Sequence, residues 1–139
     1  MIANFRINKI VGERTAGDVG KVNLTPNFRI VSLKKATNET IGDHIIANFE
    51  FEGAYKPEVG NIKLEGNLIY YSPNIDELVH EEKKEIELEP EAVEDIMNFV
   101  FQNTMVEAIG VAKKLRLPVP LSLPRFSAKK SSKYPKAEE

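Results

Sequence analysis

Apolar and polar residues alternate along much of the first 72 residues, and turn residues separate the alternating stretches. This pattern is typical of antiparallel β-strands with one buried and one exposed face. The clearest case runs from Ile45 to Phe51, and Ile62 to Tyr70 follows the same rule. Weaker patterns predict strands over Phe5–Val11 and Phe28–Ala36. The Gly53–Pro57 connection suits a hairpin between the third and fourth strands.

Two residues are expected to disturb these strands. Pro26 has no N–H to donate to a β-ladder, so we expect it to interrupt the second strand and leave Phe28 as its effective start. Gly66 lies within the fourth strand and marks a candidate bulge.

A long helix is predicted after the strands. Glu89 and Pro90 favour its start, because a proline in the first helical turn sacrifices no hydrogen bond. Basic residues near Arg116 suit the negative end of the helix dipole, and Pro118 prevents continuation. The fold class is therefore α+β: a four-stranded antiparallel sheet, then one long C-terminal helix and a Pro-rich extended strap over residues 117–124.

Two charged segments flank this helix. Residues 75–95 carry ten acidic side chains, and residues 113–139 carry eight basic ones. A short helix over 76–85 and a solvated loop both fit the acidic run, and we slightly favour the loop. Residues 127–139 lack an apolar period and predict a flexible basic tail. The expected organisation is one domain over 1–126 followed by that tail.

Composition limits the function. The chain has 139 residues, 42% of them hydrophobic, which is typical of one folded domain. It has no cysteine, which excludes disulfides and thiolate chemistry and favours a cytoplasmic location. We expect no membrane insertion, because no apolar run approaches ~20 residues. A net charge of −2 argues against a dedicated nucleic-acid-binding protein.

Fragments of catalytic motifs occur but are incomplete. Gly12–Gly17 has the spacing of a phosphate-binding loop, but Asp18 follows where a lysine is needed. His80 begins a pattern typical of zinc proteases, yet Lys84 replaces the second histidine. We therefore expect no enzymatic activity, no catalytic residue, no cofactor and no metal site.

The predicted helix has apolar residues on two sides. A core stripe comprises Val93, Met97, Val100, Phe101, Ala108, Val111, Ala112 and Leu115. Phe99 and Val106 fall nearly opposite that stripe, with Ile96 and Ile109 on its flanks and Gly110 beside them. Exposing this second stripe is unfavourable, so these five residues form a predicted oligomer interface. A second copy of the chain is the favoured cover, and the strap or a foreign polypeptide are alternatives.

The tail offers a candidate nucleic-acid contact. Its lysines could neutralise phosphates, and Phe126 and Tyr134 could stack on bases. The candidate RNA-contacting residues are Lys129, Lys130, Lys133 and Lys136. A solubilising tail is the favoured alternative.

The stretch from Met105 to Phe126, MVEAIGVAKKLRLPVPLSLPRF, resembles the SecB family of export chaperones. In that family the main helix similarly ends in a basic residue and leads through a proline to a Leu-rich extended segment, a second proline and a phenylalanine. The segment 66–71, GNLIYY, also looks like the last strand of that family. The resemblance covers roughly residues 3–126. Richness in Lys, Glu and Ile suits a thermophile and suggests an archaeal relative.

The resemblance implies a homodimer or homotetramer that holds unfolded polypeptide clients in apolar grooves without ATP and has a link to protein export. Tyr70, Leu117, Val119 and Leu121 are the predicted polypeptide-binding residues. The family's terminal helix is absent here and the tail is basic, which argues against delivery to an export motor. Two alternatives stay open. One is an accessory, ribosome-associated ribonucleoprotein subunit that uses the tail on RNA, and the other is an interaction or toxin–antitoxin-associated module that holds one dedicated protein partner.

Overall fold

A computed structural model of the chain describes residues 2–14, 23–56, 60–117 and 130–137. It shows an α+β fold with a four-stranded antiparallel sheet and a long helix, as the sequence predicts. The predicted Pro-rich strap over 118–124 lies outside the described residues. The elements in chain order are β1 (Ile2–Arg14), β2 (Asn23–Asn38), β3 (Gly42–Lys56), β4 (Gly60–Tyr70), α1 (Ile75–Leu78), β5 (Val79–Glu81), β6 (Glu85–Leu88), α2 (Pro90–Leu115) and β7 (Ser132–Pro135).

The main sheet has the order β1-β4-β3-β2, and all its pairs are antiparallel. The central strands β3 and β4 pair from Ile45 opposite Tyr70 to Tyr55 opposite Gly60. Alternate residues of both strands are buried, which confirms the predicted alternation. The intervening residues form an outer face that is polar except at the Ile46–Ile69 pair and Ala54, and on it Glu50 forms ion pairs with Arg29 and Lys63.

The predicted break at Pro26 is wrong. Strand β2 continues through this residue, which lies opposite Gly53, and the strand begins at Asn23. A proline is tolerated here because β2 is an edge strand. The irregularity in β2 lies instead between Ile30 and Ser32. Strand β3 also extends to Lys56, so Gly53 belongs to the strand rather than to the hairpin connection.

Gly66 does mark an irregular point, but the irregularity lies in the neighbouring strand. Gly66 is paired with Ile7 of β1, and the register of β1 shifts on both sides of that pair. Asn4, within the first shift, has a left-handed φ of 49°. A β-carbon at Gly66 would lie 2.0 Å from the carbonyl oxygen of Arg6. Only glycine therefore lets β1 and β4 approach this closely.

Helix α2 begins and ends as the sequence predicts. Pro90 is its first residue, after an extended Glu89. Arg116 adopts a left-handed φ of 56°, and the N–H of Leu117 donates to the carbonyl oxygen of Ala112 at 2.9 Å. This hydrogen bond closes the helix end and turns the side chain of Leu117 back into the core.

The helix lies across the buried face of the sheet and follows β1. Near the start of β1, the rings of Phe5 and Phe99 meet edge to face with centroids 5.5 Å apart. At the other end, a β-carbon at Gly12 would lie 2.6 Å from a methyl group of Val111. Buried side chains along this interface form two adjoining clusters that together make up the core.

The acidic segment differs from the favoured prediction of a solvated loop. It contains the short helix α1 and then the β5–β6 ladder, which belongs to a second, three-stranded sheet of order β5-β6-β7. Val79, Ile86 and Leu88 are buried in the main core. These apolar residues hold the segment against the domain while its acidic side chains face solvent.

Part of the predicted flexible tail also forms structure. Residues 132–135 are strand β7, in which Tyr134 lies opposite Ile86. The Tyr134 ring packs against the core cluster, and burial raises the pKa of its hydroxyl. Tyr134 is the one residue of the SKYP sequence that packs against the core. A single such residue produces no apolar periodicity, so the strand could not be predicted from the sequence pattern.

Within the described part of the chain, no helix combines the length and the apolar character needed to cross a membrane.

Candidate functional site

The predicted polypeptide-binding residues do not line an open groove among the described residues. Tyr70 is 1% exposed at the end of β4, and Leu117 is buried beside the end of α2. Val119 and Leu121 lie outside the described residues. Tyr70 and Leu117 also belong to different core clusters, so the structure does not bring them together.

Tyr70 has a structural role in the interface between sheet and helix. Its hydroxyl donates a hydrogen bond of 3.4 Å to Oδ2 of Asp95 on α2. Burial raises the pKa of this hydroxyl, and the negative charges of Asp95 and Glu91 raise it further. The ring therefore stays neutral to a higher pH in the folded protein than in the unfolded chain.

This shift predicts a loss of stability in alkali. Unfolded tyrosine ionises near pH 10, so the contribution of Tyr70 is fully present below about pH 10 and declines as the pH rises further. We expect Tyr70→Phe to make the decline in the free energy of unfolding shallower. Urea denaturation at several values between pH 8 and about 11.5 measures this. Equal slopes in the two proteins would contradict the assignment.

The predicted oligomer interface on α2 separates into two parts. Ile96 is buried against the sheet, and Phe99 is half-buried against Phe5. Val106 is 62% exposed, and a β-carbon added at Gly110 would meet open space. Ile109 is half-buried. The first two residues thus pack within their own chain, and what remains of the outer stripe is the surface around Val106.

The path of the buried seam explains this separation. Ala92, Ile96, Val100, Thr104, Ala108 and Ala112 are all buried, and they recur at every fourth residue. Four residues rotate a helix by about 40° more than one turn, so this seam winds around α2 instead of following one face. The sheet contacts different sides of the helix at its two ends. A helical wheel with one fixed face therefore places Phe99 wrongly beside Val106.

The candidate RNA-contacting lysines are partly engaged within the chain. The ammonium of Lys133 lies 3.1 Å from a carboxylate oxygen of Glu82, and that of Lys136 lies 3.0 Å from Glu81. Lys130 is exposed, and Lys129 lies outside the described residues. Two of the four predicted phosphate contacts are therefore already neutralised by acidic neighbours.

Among the described residues, the largest concentration of exposed apolar side chains lies on the edge strand β1, which contains none of the predicted site residues. Six consecutive residues of β1, from Asn8 to Glu13, are exposed. They include Ile10, which is 52% exposed, and Val11, which is 39% exposed. Among the described residues, β1 pairs with β4 alone, so the other side of its backbone has no strand beside it.

The opposite edge of the sheet is covered in part. In β2, Leu33 forms a parallel bridge with Lys136, and its carbonyl oxygen accepts a 2.9 Å hydrogen bond from the N–H of Ala137. The C-terminal segment thus occupies the middle of this edge. Val31, beside the bridge, is 37% exposed. Among the described residues, the β2 edge thus carries part of the C-terminal segment, whereas the β1 edge carries no strand.

One signal in the sequence points to this region. Ile10 and Val11 are adjacent apolar residues, and successive side chains of a strand point to opposite faces, so they cannot both face the core. Strand order decides whether such a pair is covered, and strand order cannot be obtained from periodicity.

Comparisons of the chain with protein-family models, with curated proteins and with solved structures gave no match.

Proposed function

We propose that this protein is an ATP-independent molecular chaperone that binds extended, non-native polypeptides along the outer edge of β1, beside which the described residues place no strand. The single observation that carries the proposal is the 13-residue edge strand with Ile10 and Val11 exposed on it. An unpaired strand edge offers a row of N–H and C=O groups to any extended chain. Because those contacts are to the main chain, they suit clients of many sequences.

The two exposed apolar residues add side-chain contacts on both faces of the sheet. Ile10 pairs with Leu64, whose side chain is in the core, and Val11 pairs with Lys63 on the polar face. A client strand laid beside β1 would place its alternate side chains next to each of them. Burial of one such side chain contributes about 1.5–3 kcal/mol.

Charge supports the solubility of a loaded complex. The ten acidic residues between 75 and 95 include Glu77, Glu85 and Glu91, whose side chains are exposed. Like charges on neighbouring molecules repel one another, which opposes aggregation of the chaperone with its bound client. The proposed location is the cytoplasm, and a connection with protein export is part of the proposal only through the SecB resemblance.

Self-association as a homodimer or homotetramer is also proposed. Its support on α2 is the exposed Val106 and the open space at Gly110. The outer β1 edge is a second surface to which another copy can pair, and such pairing would compete with client binding. Client binding measured at increasing chaperone concentration distinguishes the two surfaces. Self-association through β1 would reduce the client bound per chain as the concentration rises, whereas association through α2 would leave it unchanged.

The ribonucleoprotein alternative has weaker support, because Lys133 and Lys136 are paired with Glu82 and Glu81. If RNA binding is nevertheless the function, the affinity for RNA must fall steeply with salt and with Lys→Gln changes at Lys129, Lys130, Lys133 and Lys136, which leave Tyr134 and strand β7 in place.

An aggregation assay with edge variants tests the proposed function. The wild-type protein is expected to suppress aggregation of an unfolding client at near-stoichiometric amounts without nucleotide. The double change Ile10→Lys and Val11→Lys is expected to remove most of that activity, since lysines on an edge discourage strand addition. Both residues are exposed, so stability should change by no more than about 0.5 kcal/mol for each substitution.

Each control variant carries one new lysine at a site away from β1, and a combination of the two carries the same two new charges as the β1 variant. Val31→Lys alters the covered β2 edge and Val106→Lys alters the outer side of α2, and both variants should retain the activity. No suppression by wild-type protein at severalfold excess would overturn the function. Full suppression by the β1 variant would overturn the site.

A further inference from the structure

Three potential metal ligands converge on the second sheet, away from the β1 edge. His80 lies on β5, Glu87 lies on β6, and Glu89 immediately precedes α2. One ligand atom from each residue lies within 4.8 Å of the other two. The imidazole Nε2 of His80 is 3.0 Å from Oε1 of Glu89.

The backbone places these side chains on one face. His80 and Glu87 are opposite each other in the antiparallel ladder, and Glu89 is two residues beyond Glu87. The N–H of Glu89 donates to the carbonyl oxygen of Leu78 at 2.8 Å, which keeps Glu89 beside β5. The alternate residues Ile86 and Leu88 are buried in the core, so the ligand-bearing face is directed away from it.

The second carboxylate is oriented by a neighbour. The hydroxyl of Ser131 donates to Oε2 of Glu87 at 3.3 Å. Hydrogen bonds of this kind orient metal-binding carboxylates in proteins. Lys133 is the cross-strand partner of Glu87, and its ammonium is paired with Glu82, while Glu85 adds further negative charge nearby.

We propose that His80, Glu87 and Glu89 form a binding site for a divalent transition-metal ion of the zinc type. One imidazole nitrogen and two carboxylate oxygens are a donor set that Zn²⁺ accepts at about 2.0–2.2 Å, with water completing a tetrahedron. Two ligand atoms bound tetrahedrally to one ion at that distance are about 3.4 Å apart. The three ligand atoms here lie within 4.8 Å of one another, so rotation of the side chains is enough to bring them to that spacing.

Such an ion would join β5, β6 and the beginning of α2. The acidic segment would then be fixed to the main helix by coordination as well as by its buried apolar residues. Binding to the folded state raises thermal stability by mass action. This role is independent of client binding at β1, and failure of either proposal leaves the other standing.

Calorimetric titration of the full-length, tag-free, chelator-treated protein with Zn²⁺ tests the proposal. We expect one saturable site per chain, a higher melting temperature and, with Co²⁺ as the probe, visible absorption typical of tetrahedral coordination. His80→Ala and Glu89→Gln should each weaken Zn²⁺ binding by at least about tenfold. Circular dichroism checks that both variants stay folded.

The matched control is Glu77→Gln, which removes one exposed carboxylate from α1 and should bind as the wild type does. Unsaturable binding, or unchanged Zn²⁺ affinity in His80→Ala, would show an adventitious ion only and overturn the site. Equal affinity for Mg²⁺ and Zn²⁺ would also overturn it, because a hard cation gains little from an imidazole ligand.

Discussion

Gly66→Ala is expected to lower the free energy of unfolding by about 3 kcal/mol. The added methyl group would lie 2.0 Å from the carbonyl oxygen of Arg6 and 2.7 Å from the ring of Phe49. The backbone oxygen cannot move away without separating β1 from β4 at the Ile7–Gly66 pair. Urea denaturation followed by circular dichroism measures the loss.

Gly110→Ala is the matched control, since it makes the same chemical change on α2 where the new methyl group meets open space. Alanine is the better helix former, so this variant should be more stable than the wild type by about 0.5–1 kcal/mol. A Gly66→Ala protein as stable as the wild type would contradict the close approach of β1 to β4. It would also weaken the account of β1 as a well-ordered docking edge.

Ile96→Ala is expected to cost about 2–5 kcal/mol, because Ile96 is fully buried between α2 and the sheet. Val106→Ala should change stability by less than about 0.5 kcal/mol in a monomer, since its side chain is 62% exposed. Thermal and urea unfolding of both variants measure the difference. The sequence predicts that Val106 lies on the outer stripe of α2 and Ile96 beside it. A large effect for Ile96→Ala with a small effect for Val106→Ala would therefore support a buried seam that winds around α2.

A larger loss of stability in Val106→Ala would indicate that a second copy of the chain covers this residue. If a second copy covers this residue in solution, the variant would lose stability, and its melting temperature would depend on protein concentration more weakly than that of the wild type. A small effect for Ile96→Ala would contradict the packing of the helix on its own sheet.

The sequence predicts the central features of this fold because their signals are local. Alternation over Ile45–Phe51 and Ile62–Tyr70 follows from a sheet with one buried face. Pro90 and the basic residues before Arg116 mark the helix ends through their effect on terminal hydrogen bonds and the dipole. These predictions need no knowledge of which elements become neighbours.

The second sheet could not be predicted in the same way. Strands β5 and β6 have three and four residues, too few for a reliable period, and exposed acidic side chains dominate their composition. Their stability depends on contacts of Val79, Ile86 and Leu88 with core residues that are distant in the sequence. Strand β7 similarly depends on Tyr134 meeting Ile86 across a long sequence separation.

The candidate site was missed for a related reason. The predicted binding residues Tyr70 and Leu117 lie at the end of β4 and just after α2, and both make their apolar contacts within the core. Whether Ile10 and Val11 are exposed depends on the order β1-β4-β3-β2, which leaves β1 at an edge. Local patterns contain no information about that order.

Amide hydrogen exchange in the presence of an unfolded client is the most direct test of the proposed docking edge. We expect added protection in residues 9–13 of β1 when the client binds, and little change at the covered β2 edge around Leu33. The Ile10→Lys and Val11→Lys double variant should lose that added protection. Client-dependent protection confined to β2 or α2, with β1 unchanged, would contradict the account.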